Sequence, residues 1–414
     1  MAVIDQYFKY LVEAGGSDLH LSEGQPPKVR VNGTISAISD ENLEGQAFKN
    51  LLAEICDPQA FQKYLEEGDL DFAYEMDETS RFRCNYFKQQ HGLGAVFRLI
   101  PTKIATLEEL GVPTVVKEFA HMRSGLVLVT GPTGSGKSTT LAAIIDYINS
   151  NQARHIITVE EPIEFVHPNK KSIVTQREVP LQTPSFADGL RASLREDSDI
   201  VLVGEMRDLE TISLALTAAE TGLLVFGTLH TNNASKTIDR IIDVFPSDQQ
   251  SQVRTMLAGS LRGVVAQLLM KRSDKPGRVA VNEILFATPA VAAIIREGAT
   301  QKIPDVIVGG KAMGMQFMDD AIWQKLQQGI VSPEEAYMKC IEKKRFRNFL
   351  PPESARLADA GGGNGGEAAD NRGNDRIQGL RSRADRARHR KLHACQRKFP
   401  HRTLDGRQPA GHRH

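Results

Sequence analysis

Short apolar runs alternate with longer stretches of helical character through the middle of the chain. The runs occupy positions 126–129, 156–159, 200–203 and 224–229, and polar residues follow each of them. This alternation is typical of a parallel sheet covered by helices. Because the C-terminal ends of parallel strands open on one edge, we predict that the polar residues behind the runs line a ligand site at that edge.

A different pattern in residues 1–99 predicts a small α+β domain ahead of this sheet. Apolar residues recur at helical spacing over 4–11, and Gly15 follows as a stop. In KVRVNGTI, Asn32 and Gly33 separate two alternating segments, as in a hairpin with a type I′ turn. The N-terminal part is therefore predicted to contain an antiparallel sheet and at least one helix.

Three arginines stand at defined positions in the strands of this first domain. Apolar residues alternate over 70–74 and again over 82–86. The second alternation places Arg81 and Arg83 together on the polar face of one strand. Arg98 is predicted to close the next strand. We expect Arg81 and Arg83 to face away from the apolar side of their strand.

Composition and the positions of prolines divide the chain into four parts. The 414 residues are 41% hydrophobic and 25% charged, which is ordinary for a soluble protein of two or more domains. A proline-bounded segment, 100–113, is predicted to link the first domain to the sheet-containing part, 114–350. The remainder, 351–414, carries about twice as many basic as acidic residues and nearly lacks large aliphatic side chains, so we predict disorder. It could contact nucleic acid or anionic lipid, but a dispensable extension is the preferred interpretation.

Other global features argue against several classes of protein. No apolar run approaches the length of a membrane span, and the opening residues do not resemble a signal peptide, so a cytoplasmic location is expected. The four cysteines are scattered. They predict neither a disulfide framework nor a CxxC zinc site.

The run at 126–129 leads into GPTGSGKST, which fits the phosphate-binding loop G-x-x-x-x-G-K-S. The glycines let backbone N–H groups curl around the β-phosphate, and the following helix directs its positive end at the same charge. Lys137 adds a cation for the β- and γ-phosphates, and the Ser138 hydroxyl suits Mg²⁺. ATP and Mg²⁺ are therefore the predicted cofactors. The predicted nucleotide-binding residues of the loop are Gly131, Pro132, Thr133, Gly134, Ser135, Gly136, Lys137, Ser138 and Thr139.

Acidic residues follow two other runs. Glu205 comes directly after the third run and is predicted to face Mg²⁺, with water as an acceptable intermediary. In ITVEEPIEF, three acidic residues follow the second run closely: Glu160, Glu161 and Glu164. The repulsion between their carboxylates becomes tolerable beside Mg²⁺ and Lys137. Glu160 is the first acid beyond the strand, so we predict that it positions or deprotonates the attacking water. The other two glutamates are expected to shape the site or pair with arginines.

The last run ends in GTLHTNNA, which places His230 at the same sheet edge. A lone histidine is more often a structural residue than a ligand contact. Its position on the predicted reactive edge favours a γ-phosphate sensor here. The predicted catalytic residues are therefore Glu160, Glu205 and His230.

Four motifs resemble a known family: VTGPTGSGKSTT, ITVEEPIEF, LREDSDIVLVGEMRD and AAETGLLVFGTLHTNNA, in that order after a domain that contains GGSDLHL and RFRCNYF. They are similar to the Walker A motif, Asp box, Walker B motif and His box of the secretion-type hexameric ATPases. The resemblance is strongest to the PilT and PilU group, which retracts type IV pili in twitching motility. It extends over residues 4–349 and implies a RecA-like P-loop core preceded by a PAS-like N-terminal domain.

The resemblance also implies partners and further site residues. It implies a homohexameric ring with nucleotide between the two domains, in which Arg81, Arg83 and Arg98 bind or sense phosphate, some of them across a subunit boundary. The implied partners are an inner-membrane platform protein of the pilus machine and possibly a second retraction ATPase, with no nucleic acid. The implied location is the cytoplasmic face of the inner membrane.

The sequence departs from the family pattern in three places. Glu161 replaces the aspartate of the Asp box, and Leu223 stands where the His box usually begins with a histidine. In the retraction motif A-I-R-N-L-I-R-E, this chain has AVAAIIRE, with Ala292 and Ala293 in place of arginine and asparagine. The last departure bears on retraction rather than on ATP hydrolysis.

Three alternatives to a retraction ATPase follow from the same residues. Pilus assembly and type II secretion ATPases typically carry a four-cysteine zinc module, which this sequence lacks. A RecA-like DNA motor would need a basic stripe interleaved with aromatic residues, and the body of the chain shows none. A non-hydrolysing structural subunit is disfavoured because every catalytic motif is filled.

Overall fold

The N-terminal part of the chain folds into a six-stranded antiparallel sheet with three helices. The computed structural model describes residues 2–31, 33–77, 80–101, 103–352 and 354–356. The strands follow the order β3-β2-β1-β6-β5-β4. The elements are α1 (Asp5–Glu13), β1 (Asp18–Ser22), β2 (Lys28–Val31), β3 (Thr34–Ala37), α2 (Gly45–Ala53), α3 (Pro58–Glu67), β4 (Asp69–Asp77), β5 (Ser80–Gln89) and β6 (Gly92–Pro101).

Local sequence signals account for the beginning of this domain. The predicted first helix is α1, and the chain after it turns at Gly15, whose φ is +61°. The predicted hairpin is β2–β3, in which Val31 pairs with Thr34 across a two-residue turn. Asn32, the first turn residue, lies outside the described residues.

Strand β5 has the predicted two faces. Its apolar residues within 82–86 are fully buried, whereas Arg81 and Arg83 lie on the opposite, partly exposed face. Arg98 stands opposite Arg83 on β6. The expectation that Arg98 closes its strand is wrong, because β6 continues to Pro101.

The segment predicted as a linker, 100–113, packs on the second part of the chain. Its first two residues belong to β6. Further along, Leu107 and Val112 are buried in the same hydrophobic cluster as Phe119 and Ile144. The segment is thus tied to the core that follows it.

The second part contains a seven-stranded sheet in the order β13-β12-β7-β11-β10-β8-β9. All neighbours are parallel except β12 and β13, which form an antiparallel pair. The predicted α/β architecture with a mostly parallel sheet is confirmed. Its strands are β7 (Gly125–Thr130), β8 (His155–Glu160), β9 (Ile173–Glu178), β10 (Ile200–Val203), β11 (Leu224–Leu229), β12 (Leu261–Lys271) and β13 (Arg278–Phe286).

Eleven helices among the described residues belong to this second part. Helices α4 and α5 supply residues to the hydrophobic cluster on one sheet face, and α6 to α11 supply the cluster on the other. A further cluster joins α12 to α14 to the hairpin β12–β13. The helices are α4 (Lys117–Ala120), α5 (Lys137–Asn151), α6 (Phe186–Ser193), α7 (Leu209–Glu220), α8 (Ala234–Asp243), α9 (Gln250–Ser260), α10 (Pro289–Glu297), α11 (Ile303–Gly309), α12 (Met318–Gln327), α13 (Pro333–Lys339) and α14 (Lys343–Arg347), of which α4 is a single turn.

The four predicted apolar runs are β7, β8, β10 and β11, and they form the centre of the sheet. The sequence analysis missed β9 and the pair β12–β13. Nothing in the described part of the chain is a helix both long and apolar enough to cross a bilayer. The predicted disordered tail, 351–414, lies outside the described residues apart from its first few positions.

Candidate nucleotide-binding and catalytic site

The predicted phosphate loop joins β7 to α5, and α5 begins at Lys137. Gly131, Gly134 and Gly136 adopt φ values of +148°, +75° and +85°. A Cβ on Gly131 would lie 2.3 Å from the carbonyl oxygen of Gln267, so glycine is required at that point. The glycines of the motif therefore permit both the loop conformation and its close contact with β12.

Lys137 folds back over the loop it follows. Its Nζ donates hydrogen bonds to the carbonyl oxygens of Gly131, at 3.0 Å, and Pro132, at 3.3 Å. The same atom lies 3.5 Å from Nδ1 of His230. Burial lowers the pKa of Lys137 below its ordinary value. The amine is thus held at the loop and beside the histidine of the fourth motif.

Glu205 contacts both His230 and Arg207. Its Oε1 lies 2.9 Å from Nε2 of His230, and its Oε2 accepts a hydrogen bond of 2.6 Å from Arg207. Arg207 also lies 3.7 Å from Glu161, which confirms the predicted pairing of that glutamate with an arginine. Burial alone would raise the pKa of Glu205, but the hydrogen bonds and charges of Arg207 and His230 lower it overall. Lys137, His230 and Glu205 therefore form a continuous set of contacts at the sheet edge.

Glu160 ends β8 and has different partners. Its Oε1 accepts hydrogen bonds from Oγ1 of Thr158, at 2.7 Å, and from Nε2 of Gln176, at 3.1 Å. The residue keeps some exposed surface, but dense packing around the carboxyl group raises its pKa to about 7. Sequence reasoning missed Gln176 because it missed β9. Glu160 is thus held by neutral groups and Glu161 by Arg207, while the charge of Glu164 adds to the rise in the pKa of Glu160.

A small cavity of about 40 Å³ brings Glu160 and Ser138 together. Gly204, Thr228 and His167 also line it. A volume of this size has room for about two or three water molecules. Burial lowers the pKa of His167 to about 4, and its Nδ1 has no hydrogen-bond partner among the described residues. Apolar side chains, Leu141, Ala142, Ile145, Phe165 and Leu202, form the rest of the lining, so Glu160 and Ser138 meet in a space of mixed polarity.

Two of the three predicted phosphate-binding arginines pair with carboxylates of their own chain. Arg81 lies 3.9 Å from Glu178 on β9, and Arg98 donates a hydrogen bond of 2.9 Å to Asp18. Among the described residues, neither of them bonds to the phosphate loop. Arg83 stands beside Arg98 in the sheet register. The structure does not bring these side chains to the loop of their own chain.

Two of the departures from the family pattern sit in apolar surroundings. Leu223 and Ala292 are partly buried and pack against the hydrophobic cluster that includes α7 and α10. Neither residue takes part in the hydrogen bonds and ion pairs described around Glu205. The apolar replacements therefore contribute to packing.

Comparison with known proteins identifies the family of the chain. The family model described as type II/IV secretion system protein matches residues 2–338. The chain belongs to this family. The resemblance inferred from the four motifs is thereby confirmed, and it covers both the antiparallel N-terminal sheet and the sheet that carries the phosphate loop.

The chain matches relatives in the type II/IV secretion system family over most of the length of each relative. The type IV pilus retraction ATPase PilT of Pseudomonas aeruginosa is 49% identical over 343 residues, which is 83% of this chain and 99% of that protein. A twitching motility protein of Neisseria gonorrhoeae is 49% identical over 310 residues, covering 75% of this chain and 83% of that protein. A crystal structure of the pilus retraction motor PilT with bound ADP matches with a TM-score of 0.76 and 44% identity, covering 83% of this chain and 98% of that one.

Proposed function

We propose that this protein is a motor ATPase that hydrolyses ATP to drive the retraction of type IV pili. The observation that carries the proposal is the set of contacts from Lys137 through His230 to Glu205 beside a complete phosphate loop. These groups lie at the edge of a parallel sheet, where such folds bind ligands. The 49% identity to PilT over 99% of its length supports retraction as the work performed.

In the proposed reaction, the phosphate loop binds the nucleotide through its backbone and Lys137. The positive φ values of the glycines allow successive N–H groups to converge, and α5 presents its N-terminal end to the same charge. The carbonyl oxygens that Lys137 contacts are uncharged, so an anionic phosphate would be a stronger partner for its ammonium group. Binding would therefore move the amine away from Gly131 and Pro132.

The residues present also fit Mg²⁺. The ion prefers oxygen ligands, retains several waters and is usually held by one or two carboxylates together with substrate phosphates. Ser138 lines the cavity beside the loop, and the lowered pKa of Glu205 keeps its carboxylate ionised at neutral pH. We propose that these two residues hold the ion, which would neutralise charge on the phosphates.

Glu160 is the proposed general base for the attacking water. A base works best when its pKa is near the operating pH, and the pKa of Glu160 is about 7. Its Oε1 is held by Thr158 and Gln176, and the residue lines a cavity large enough for the water. His230, which touches both Lys137 and Glu205, is placed to respond to a change in phosphate charge.

We further propose that the active form is a homohexameric ring. Arg81, Arg83 and Arg98 would then act on nucleotide bound at a domain boundary, some of them from a neighbouring subunit. A ring of this kind would engage an inner-membrane platform protein of the pilus machine at the cytoplasmic face, with or without a second retraction ATPase. Within one chain the carboxylate partners of Arg81 and Arg98 hold these side chains until such an assembly forms.

Deletion of the gene tests the direction of the motor. Cells should keep or increase their surface pili and lose twitching motility, and a copy that carries Lys137→Ala should fail to restore motility. Bald cells would indicate an assembly ATPase instead. Purified protein without ATPase activity, in the presence of Mg²⁺, would contradict the enzymatic part of the proposal.

A further inference from the structure

A buried amide lies directly behind the phosphate loop. Gln267, on β12, is 2% exposed. Its Nε2 donates a hydrogen bond of 2.7 Å to the carbonyl oxygen of Ser135, inside the loop. Its Oε1 accepts hydrogen bonds from Oγ1 of Thr140, at 2.8 Å, and from Nδ2 of Asn282, at 2.9 Å. One side chain thus connects the loop, the first turns of α5 and strand β13.

The hydrogen bonds allow only one orientation of this amide. The Ser135 carbonyl can only accept, so the amino group of Gln267 must face the loop. If the amide were reversed, its oxygen would oppose the Ser135 carbonyl and its nitrogen would oppose the amino group of Asn282. The Ser135 carbonyl therefore specifies the orientation of Gln267, and Asn282 donates to the oxygen that this orientation presents.

The loop also approaches β12 closely on either side of this contact. A Cβ on Gly131 would lie 2.3 Å from the backbone oxygen of Gln267, and a Cβ on Gly136 would lie 3.0 Å from its Nε2. The two glycines that begin and end the loop thus allow it to rest on β12. Gln267 supplies a directional hydrogen bond in the middle of that contact, at Ser135.

We propose that Gln267 is a positioning residue that holds the phosphate loop in its nucleotide-binding conformation, and that Asn282 orients Gln267. The inference rests on the proposed function of the loop as the nucleotide site. Because the loop binds phosphate through backbone N–H groups, its affinity depends on how well those groups are ordered before the ligand arrives. Loss of the Ser135 contact should therefore weaken nucleotide binding more than it slows the chemical step.

The test compares two buried amides in the full-length protein. Gln267→Met keeps the length of the side chain but removes its hydrogen bonds. Asn149→Leu is the matched control, because Asn149 is fully buried near the other end of the same helix, α5, and its side-chain amide bonds to the backbone of Pro168 and Lys170 rather than to the loop. Thermal unfolding, ADP affinity by calorimetry, and steady-state KM and kcat for ATP are measured for both variants.

Both variants should lower the unfolding temperature. Gln267→Met should weaken ADP binding and raise KM by about tenfold or more, the scale expected when several buried polar groups lose a partner, with a smaller change in kcat. Asn149→Leu should leave both constants within about twofold of wild type. Equal effects of the two variants on ADP affinity would show that Gln267 is merely structural and would overturn the inference.

A milder variant keeps the test decisive if Gln267→Met does not fold. Asn282→Leu leaves Gln267 in place and removes one of the two donors to its Oε1, so we expect about threefold weaker ADP binding. No loss beyond that of Asn149→Leu would contradict the inference. Wild-type protein that binds no ADP at all would instead reject the proposed function of the loop.

Discussion

Replacing Glu160 by glutamine should slow ATP hydrolysis and stabilise the protein at the same time. The carboxyl group is densely surrounded, and burial raises its pKa to about 7. A glutamine of the same shape can accept the hydrogen bonds from Thr158 and Gln176 through its carbonyl oxygen. It carries no charge to desolvate. The variant therefore loses a base while it relieves an electrostatic cost.

The size and pH range of the stability effect follow from the two pKa values of Glu160. A rise from the ordinary 4.5 to about 7 corresponds to at most about 3.5 kcal/mol, at about 1.4 kcal/mol per pKa unit. Between these values the folded protein keeps a proton that the unfolded chain has released, so folding becomes less favourable as the pH rises. The cost is absent below pH 4.5 and is complete somewhat above pH 7.

Thermal unfolding of the nucleotide-free protein at pH 5 and pH 8 measures this effect. Glu160→Gln should unfold close to wild type at pH 5 and several degrees higher at pH 8. Glu161→Gln is the matched control, because Glu161 is 41% exposed and pairs with Arg207, so its replacement should bring no such gain. Single-turnover hydrolysis by Glu160→Gln should be at least ~10²-fold slower, with nearly normal affinity for Mg²⁺ATP.

A different result would contradict each of these two predictions for Glu160→Gln. If Glu160→Gln shows no pH-dependent stabilisation, the carboxyl group of Glu160 is solvated and its pKa is ordinary. If hydrolysis stays near normal, Glu160 is structural and the catalytic assignment moves to Glu205. The two measurements are independent, so either part of the reasoning can fail alone.

Three further substitutions test the rest of the site. Lys137→Ala should abolish turnover and greatly weaken nucleotide binding because the phosphates lose the cation of the loop, and unchanged turnover would reject the site. Glu205→Gln should raise the Mg²⁺ concentration needed for half-maximal hydrolysis, whereas an unaltered Mg²⁺ dependence would exclude a role at the metal. Arg83→Ala should reduce hydrolysis by up to about 10³-fold, and mixing with Lys137→Ala subunits should restore part of the activity if the arginine acts across a subunit boundary. No recovery in the mixture would place Arg83 in its own subunit's site or outside catalysis.

The sequence determined those parts of the molecule whose structure depends on residues close to one another along the chain. Buried central strands leave uninterrupted apolar runs, so β7, β8, β10 and β11 could be located without a structure. The phosphate loop needs glycines at fixed spacing, and Gly131, Gly134 and Gly136 do adopt positive φ. Strand ends in a parallel sheet share one edge, which is why the contact between Glu205 and His230 followed the prediction that both face that edge.

Only the tertiary structure decided how these parts are supported. Strand β9 is a sheet edge whose sequence, IVTQRE, lacks the apolar run of a central strand, so Gln176 had no visible link to Glu160. Gln267 reaches Ser135 across 132 positions of sequence. Such contacts arise when strands that are distant in sequence pair in the sheet. The order of the strands could not be predicted from a single sequence. Local chemistry thus fixed the identity of the reactive groups, while long-range packing fixed their partners, their orientation and the pKa of Glu160.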